Sequence, residues 1–277
     1  MKSLIGKTVL VTGAAGGVGS VLAKKFYFDE KSSLILLDRD IEKLKELKSQ
    51  LPDLDNQKVK IFQVDLLNKE EIELFTQQIK SEKIDVFVSN AGIVYSGAFE
   101  TMDFVNFETV IQINLLAAVQ LTLNLLPKLT ENNGHIVFVA SGTGLLAPGG
   151  LNAYSTSKYG LVGFSEALRA EVGDKIGVST ICPAFIKTEI IKNSINAQGD
   201  KNNSAELEKL DKMVQIIGSK TDKVCNIIIK SIKKNRGLVP VGFITKLLWY
   251  TKRFFPFFTD YGNKKVFNEL IKRGFLS

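Results

Sequence analysis

The chain has 277 residues, 45% hydrophobic and 23% charged, with one histidine, two cysteines and a net charge of +7. That size suits one large α/β domain whose core needs no disulfide staples. Cys182 and Cys225 both stand in apolar stretches where a reduced, buried thiol is expected, which points to a cytoplasmic protein. Residues 1–200 carry 20 Lys and Arg against 23 Asp and Glu, whereas residues 201–277 carry 16 against 6. The basic carboxyl end is therefore either a solvated surface or the mark of an anionic partner, and no nucleic-acid partner is expected.

From the amino end, the apolar run Leu10–Ala23 imitates a signal peptide, but the glycine and alanine cluster Gly13–Gly17 breaks it where a nucleotide loop needs glycine. No 18 uninterrupted apolar residues occur, so no transmembrane span is expected. Strand-like runs follow at Thr8–Thr12, Ser33–Leu37, Val59–Val64, Ile84–Ser89, Ile136–Ala140 and Gly177–Cys182. Helical patterns at Ser20–Phe28, Ile41–Leu51, Lys69–Ile79, Phe104–Leu129 and from Asn152 to about Val172 lie between them. Continuous apolar strands alternating with helices predict a doubly wound Rossmann fold, its mostly parallel seven-stranded sheet covered on both faces. The polar stretch Asn193–Ser204 reads as a loop. One domain over 1–241 and a basic, aromatic-rich extension over 242–277, packed on or near the substrate site, are expected.

The turn after the first strand reads Thr12-Gly13-Ala14-Ala15-Gly16-Gly17-Val18-Gly19. Glycines there let a phosphate approach the backbone while the helix that follows offers free N–H groups and the positive end of its dipole. The spacing is Gly13-x-x-x-Gly17-x-Gly19 rather than G-x-G-x-x-G, and a glycine turn can also serve close packing alone. Asp38, 19 residues beyond Gly19, ends the next strand, where a carboxylate can accept from both ribose hydroxyls and repel a 2′-phosphate. NAD is thereby favoured over NADP. Arg39 argues the other way, since a guanidinium could hold that phosphate, and Asp38 could also be a plain helix-start carboxylate.

Tyr154 and Lys158 stand four apart in a helical pattern and so share a face. A phenol ordinarily titrates near pH 10; a neighbouring ammonium is expected to lower it into the range of a working acid or base. Asn114, inside the apolar segment Ile111–Val119, needs a polar partner. Each has an ordinary alternative: a surface Tyr-x-x-x-Lys, a satisfied core amide. The lone His135 has no carboxylate or cysteine company and no metal-ligand spacing occurs, so no metal is expected.

Taken in order, these features resemble the short-chain dehydrogenase/reductase family through about residue 190. The resemblance implies that Gly13, Gly17, Val18 and Gly19 hold pyrophosphate, that Asp38 and Arg39 meet the ribose, and that Asp65 and Leu66 contact adenine. It matches Ser89-Asn90-Ala91-Gly92 to an Asn-Asn-Ala-Gly element, with Ser89 in place of the first Asn. It matches Pro183-Ala184-x-x-x-Thr188 to the segment placing the nicotinamide, with Ala184 for Gly, and gives Pro183, Ile186 and Thr188 to that ring. It also implies a catalytic set of Asn114, Ser141, Tyr154 and Lys158, in which Ser141 holds the substrate oxygen, Asn114 holds a proton-relay water, and Tyr154 and Lys158 also touch the cofactor. Homodimers or homotetramers through the helices bearing Asn114 and Tyr154 are the implied assembly.

The segments expected to set the substrate are apolar: Leu145, Leu146, Ala147, Pro148 and Leu151, then Ile190, Ile191 and Ile195. They fit a lipophilic secondary alcohol or ketone, of steroid, retinoid, fatty or sphingoid kind. Reduction of carrier-bound 3-oxoacyl chains, and non-catalytic sensing of NAD(P), are the alternatives. In the tail, apolar positions 244, 247, 248, 251, 254 and 255 follow helical spacing beside Lys246, Lys252 and Arg253. Such a segment either packs on the core or another subunit, or lies on a membrane surface as a peripheral contact.

Overall fold

The computed structural model describes residues 1–184, 186, 195, 196 and 219–272, with backbone alone at 195, 196 and 270. Seven strands, β1 (Thr8–Thr12), β2 (Ser33–Asp38), β3 (Val59–Gln63), β4 (Val86–Ser89), β6 (His135–Val139), β7 (Gly177–Pro183) and β9 (Leu238–Val241), form one sheet in the order β3-β2-β1-β4-β6-β7-β9. A small parallel pair joins β5 (Tyr95–Ser96) to β8 (Ile195–Asn196). Every pairing in the large sheet is parallel, so all seven carboxyl ends open on one rim, where ligands of such sheets bind.

Helices α1 (Gly17–Phe28), α2 (Ile41–Ser49), α3 (Lys69–Gln78), α4 (Phe104–Ile111), α5 (Ala117–Glu131), α6 (Asn152–Val172) and α7 (Thr221–Lys234) cover the sheet. Alternate residues of each strand serve opposite faces. Val9, Val11, Leu34 and Leu36 pack with Leu22 and Phe26 of α1 and with Ile228 and Ile232 of α7. Leu10, Ile35, Leu37 and Phe87 pack with Phe75 of α3, Leu125 of α5 and Leu161 of α6. Two apolar layers thus sandwich a sheet buried on both sides, and the expected fold is borne out.

In the large sheet, the strand that had no sequence expectation is β9; the short β5 and β8 pair had none either. β9 is four residues long and contains Pro240, which a central strand does not tolerate; at the sheet's edge the missing N–H is harmless. The polar stretch Asn193–Ser204 lies outside the described residues except for Ile195 and Asn196, as do Thr188, Ile190 and Ile191.

α4 and α5 are joined by a π turn, Gln112–Leu116, so Phe104–Glu131 is one helix of 28 residues, long and apolar enough by length and composition to cross a membrane. The run is nonetheless interrupted by polar residues, as the sequence shows, and core helices of folded domains reach the same length and composition. In the fold its inner face packs against α3 and α6. His135, buried, holds the Ser179 hydroxyl at 2.9 Å. Ser179 in turn donates to the Arg236 carbonyl, which leaves Nε2–H of His135 as the donor. A side chain at Gly177 would overlap that imidazole, so a glycine is required by packing.

Candidate active site

At the rim, the β1–α1 turn is built by close backbone approach. Gly13 has φ +63° and a Cβ there would lie 2.8 Å from Ala91 Cα; at Gly19 it would overlap the Gly13 carbonyl. L side chains fit neither position. Neighbouring helices are capped: Asp40 accepts from Lys43 N–H at 3.1 Å and Asn68 from Glu70 and Glu71. α1 carries no side-chain cap, so its first turn presents N–H groups and its dipole to the cleft, the chemistry of an anion cradle.

The cleft holds about 600 Å³. Gly13, Gly17 and Val18 line one wall, Asp38, Arg39 and Lys43 a second, and Asp65 and Leu66 a third. The Asp38 carboxylate is fixed by two N–H donors, Ala15 at 3.0 Å and Asp40 at 3.2 Å. The Asp65 carboxylate accepts from Leu67 N–H at 2.9 Å, a local turn that sets its direction. Asn90, Ala91 and Gly92 form the floor. Thr12, absent from the expected site, clasps that floor: its hydroxyl accepts from Asn90 N–H at 3.0 Å and Ala91 N–H at 3.1 Å, and Asn90 Nδ2 donates back to the Thr12 carbonyl at 3.0 Å.

Gly92 connects the floor to the remaining polar group, since a Cβ there would lie 3.2 Å from Asn114 Oδ1 and 3.3 Å from Lys158 Nζ. The π turn directs Asn114 inward, where it accepts from Ile93 N–H at 2.8 Å and donates to the Ile93 carbonyl at 2.9 Å. Its Nδ2 also reaches Ser157 Oγ at 3.0 Å, and Ser157 donates to the Tyr154 carbonyl at 2.7 Å. Lys158, buried, donates to the Val139 carbonyl at 3.1 Å, and its ammonium stands 5.6 Å from the Tyr154 ring centre. Ser141 lies two residues past β6, at the start of the turn Gly142–Gly144, its hydroxyl accepting from Thr143 N–H at 3.2 Å. Ser157 and Thr12 sit one residue from named positions; only hydrogen-bond partners, which a lone sequence does not display, distinguish them.

The electrostatics differ from the expected phenolate. Burial pushes the Tyr154 phenol above its ordinary value, against an opposing pull from the Ser141 hydroxyl. Burial also lowers the Lys158 ammonium to about 8, with the Cys182 thiol acting weakly the other way. Desolvation penalises both charged forms, and it outweighs the pull of an ammonium 5.6 Å from the ring centre. Both cysteines are free, buried and pushed up to about 12 by burial, so neither is a thiolate near neutrality.

Of the remaining expected residues, Pro183 ends β7 at the rim, Ile186 bridges to Ser219, and Thr188 is outside the described residues. Leu145, expected to face substrate, is 7% exposed and packs in the core beneath α6. The helices of the carboxyl end, α8 (Phe243–Phe254) and α9 (Pro256–Lys272), touch the segment after Ser141. Asn263 Nδ2 donates to the Ala147 carbonyl at 3.1 Å, Phe267 lies on Gly149, and Thr245 lies beside Gly142.

A parallel sheet in this order, with a glycine cradle and a buried polar group on one rim, defines an α/β protein of the nucleotide-binding kind. Residues 7–199 match the model of the short chain dehydrogenase family, and the chain belongs to that family of oxidoreductases. Estradiol 17-beta-dehydrogenase 11 of Homo sapiens is 38% identical over 206 residues, 72% of this chain and 68% of the relative. Nodulation protein G of Rhizobium sp. (strain N33) is 32% identical over 214 residues, 76% and 82% respectively. The fold is shared with a short chain dehydrogenase/reductase from Burkholderia phymatum solved in complex with NAD, at TM-score 0.78 and 23% identity over 87% of this chain and 90% of that one.

Proposed function

We propose that the protein interconverts a lipophilic secondary alcohol and its ketone, using a nicotinamide dinucleotide, with Asn114, Ser141, Tyr154 and Lys158 as the working residues. The observation that carries this is the continuity of the glycine cradle, the Asn90–Gly92 floor and the buried Asn114–Lys158 group along one cleft. The cradle fits a dinucleotide: uncapped N–H groups for pyrophosphate, the fixed Asp38 carboxylate for ribose hydroxyls, Asp65 and Leu66 for the base, and Pro183, Ile186 and Thr188 for the nicotinamide end. When bound, the nicotinamide supplies or takes up the hydride.

On the protein's side, Ser141 orients the substrate oxygen and Tyr154 exchanges a proton with it. A phenol held protonated by burial is in the state needed to donate to a carbonyl oxygen, so the resting site is set for reduction. Lys158, able to lose its proton near pH 8, resupplies the tyrosine, and Asn114 holds the water that links the lysine to solvent. NAD is the preferred cofactor, because Asp38 would meet a 2′-phosphate with like charge, although Arg39 and Lys43 share that wall. The name of the human relative, an estradiol dehydrogenase, and the apolar Leu146, Pro148 and Leu151 support a lipophilic substrate. The described part of the extension, α8 and α9, lies against the segment after Ser141 on the substrate side. Exposed Phe104, Val105 and Leu123 support a homodimer or homotetramer through the helices bearing Asn114 and Tyr154.

The test follows NADH and NADPH oxidation with a panel of lipophilic ketones, together with cofactor titrations. NADH is expected to bind more tightly than NADPH, and Tyr154→Phe to lower kcat by at least about a hundredfold while the cofactor still binds. Turnover undiminished in Tyr154→Phe would overturn the assignment.

A further inference from the structure

The carboxyl-terminal hairpin is turned inside out relative to an ordinary surface helix pair. α8 docks through Thr245, Trp249 and Lys252, the last donating to the Tyr159 hydroxyl and lying 4.7 Å over its ring centre. α9 docks through Thr259, Asn263 and Phe267. Both stripes follow a helical period and are largely polar. The opposite faces hold the large apolar groups: Phe243, Leu247, Tyr250 and Phe254 at steps of three and four along α8, then Phe257, Phe258 and Tyr261 on α9. Phe243 is 79% exposed, Phe254 69%, Phe257 66% and Tyr261 70%. Phe257 and Phe258 lie tilted with ring centres 4.0 Å apart and Phe255 meets Phe258 edge-on at 6.4 Å, so these three rings cluster where α8 passes into α9. A soluble helix buries that face.

Cations border the patch. Lys246 and Arg253 flank the apolar line of α8; Lys264, Lys265 and Lys272 continue the outward face of α9 beyond its aromatic turn. Against these stand two acids in the hairpin, Asp260 and Glu269. A second copy pressed on this surface would bring cation against cation. An anionic lipid surface answers both features at once, taking aromatic side chains at headgroup depth and pairing lysine and arginine with phosphates.

We propose that α8 and α9 form a docking surface for anionic phospholipid bilayers, with the Phe254–Tyr261 corner inserted and the lysines on the headgroups. Docking is independent of the reaction assigned above. Its consequence for that reaction is geometric: the hairpin holds the segment after Ser141 through Asn263–Ala147 and Phe267–Gly149, and Gly150 in turn accepts from Gly97 N–H at 3.0 Å. The bilayer therefore lies beside the expected substrate entrance.

The experiment uses the full chain with vesicles of phosphatidylcholine alone or in an equimolar mixture with phosphatidylglycerol. Binding is read by co-sedimentation and by energy transfer from Trp249, the only tryptophan, to a dansyl-labelled lipid. Preference for the anionic vesicles is expected, weakened at least about tenfold in Phe254→Glu/Phe257→Glu and in Lys264→Glu/Lys265→Glu, with thermal melting of the lipid-free variants unchanged. Absence of binding to anionic vesicles, or binding indifferent to both variants, would overturn the proposal. So would sedimentation equilibrium showing that the phenylalanine variant alone lowers the mass of the lipid-free protein, since a second copy would then be the occupant.

Discussion

Lys158 concentrates the conflict between stability and chemistry in one side chain. Its ammonium is buried and held at about 8 against an ordinary 10.5, so between those two pH values the unfolded chain binds a proton that the folded chain has lost. Stability from this group therefore rises with pH across that window, by about 3 kcal/mol, and below pH 8 the full burial penalty applies. Lys158→Met is expected to raise urea stability at pH 7 by about 2 kcal/mol, the relieved charge less the lost hydrogen bond to Val139, while abolishing turnover. The rise between pH 8 and 10.5 should be absent from the variant when parallel urea titrations are compared. Much of this group was legible in sequence, because Tyr154 and Lys158 lie on one helix and four-residue spacing already places them together. Their ionisation was not: it depends on how much water the surrounding layers remove from both groups. The partners of Asn114 were likewise hidden, since Ile93 and Ser157 reach it from other elements.

Among the elements, the strands buried on both faces announced themselves as unbroken apolar runs, and five of the six expected have both ends within a residue of where they were placed; β4 ends at Ser89 as expected but begins two residues late at Val86. β9 escaped because it is short and carries Pro240, and its existence depends on β7 offering an edge. The π turn in Phe104–Glu131 had no sequence signature either; a widened helical turn shifts the face on which Asn114 projects without changing apolar composition. β6 and β7 meet through a constraint that sequence reading passed over as an isolated histidine. Gly177 makes room for the His135 ring, and burial holds that ring near 3, neutral at physiological pH. Gly177→Ala should therefore destabilise the fold by roughly 2 kcal/mol through overpacking, seen as a lower Tm; an unchanged Tm would mean that the imidazole can swing aside.

At the scale of the whole molecule, the order β3-β2-β1-β4-β6-β7-β9 has a direction. After β3, each later strand joins the same growing edge in the order in which it occurs in the chain. A chain emerging from the ribosome can therefore extend its sheet strand by strand, without opening a pair already made. The exception in timing is the last step. β7 ends at Pro183 and its partner β9 begins at Leu238, so during synthesis of everything between them β7 presents an unpaired edge, the kind that invites pairing with another chain. A chain stopped after Arg236 is expected to be recovered mainly as aggregate on size-exclusion chromatography, whereas the full chain elutes as a defined species. The proline that obscured β9 then acquires a role in biosynthesis: with no N–H at Pro240, the completed outer edge is a poor template for a neighbouring nascent chain, so the strand that closes the sheet also ends its growth.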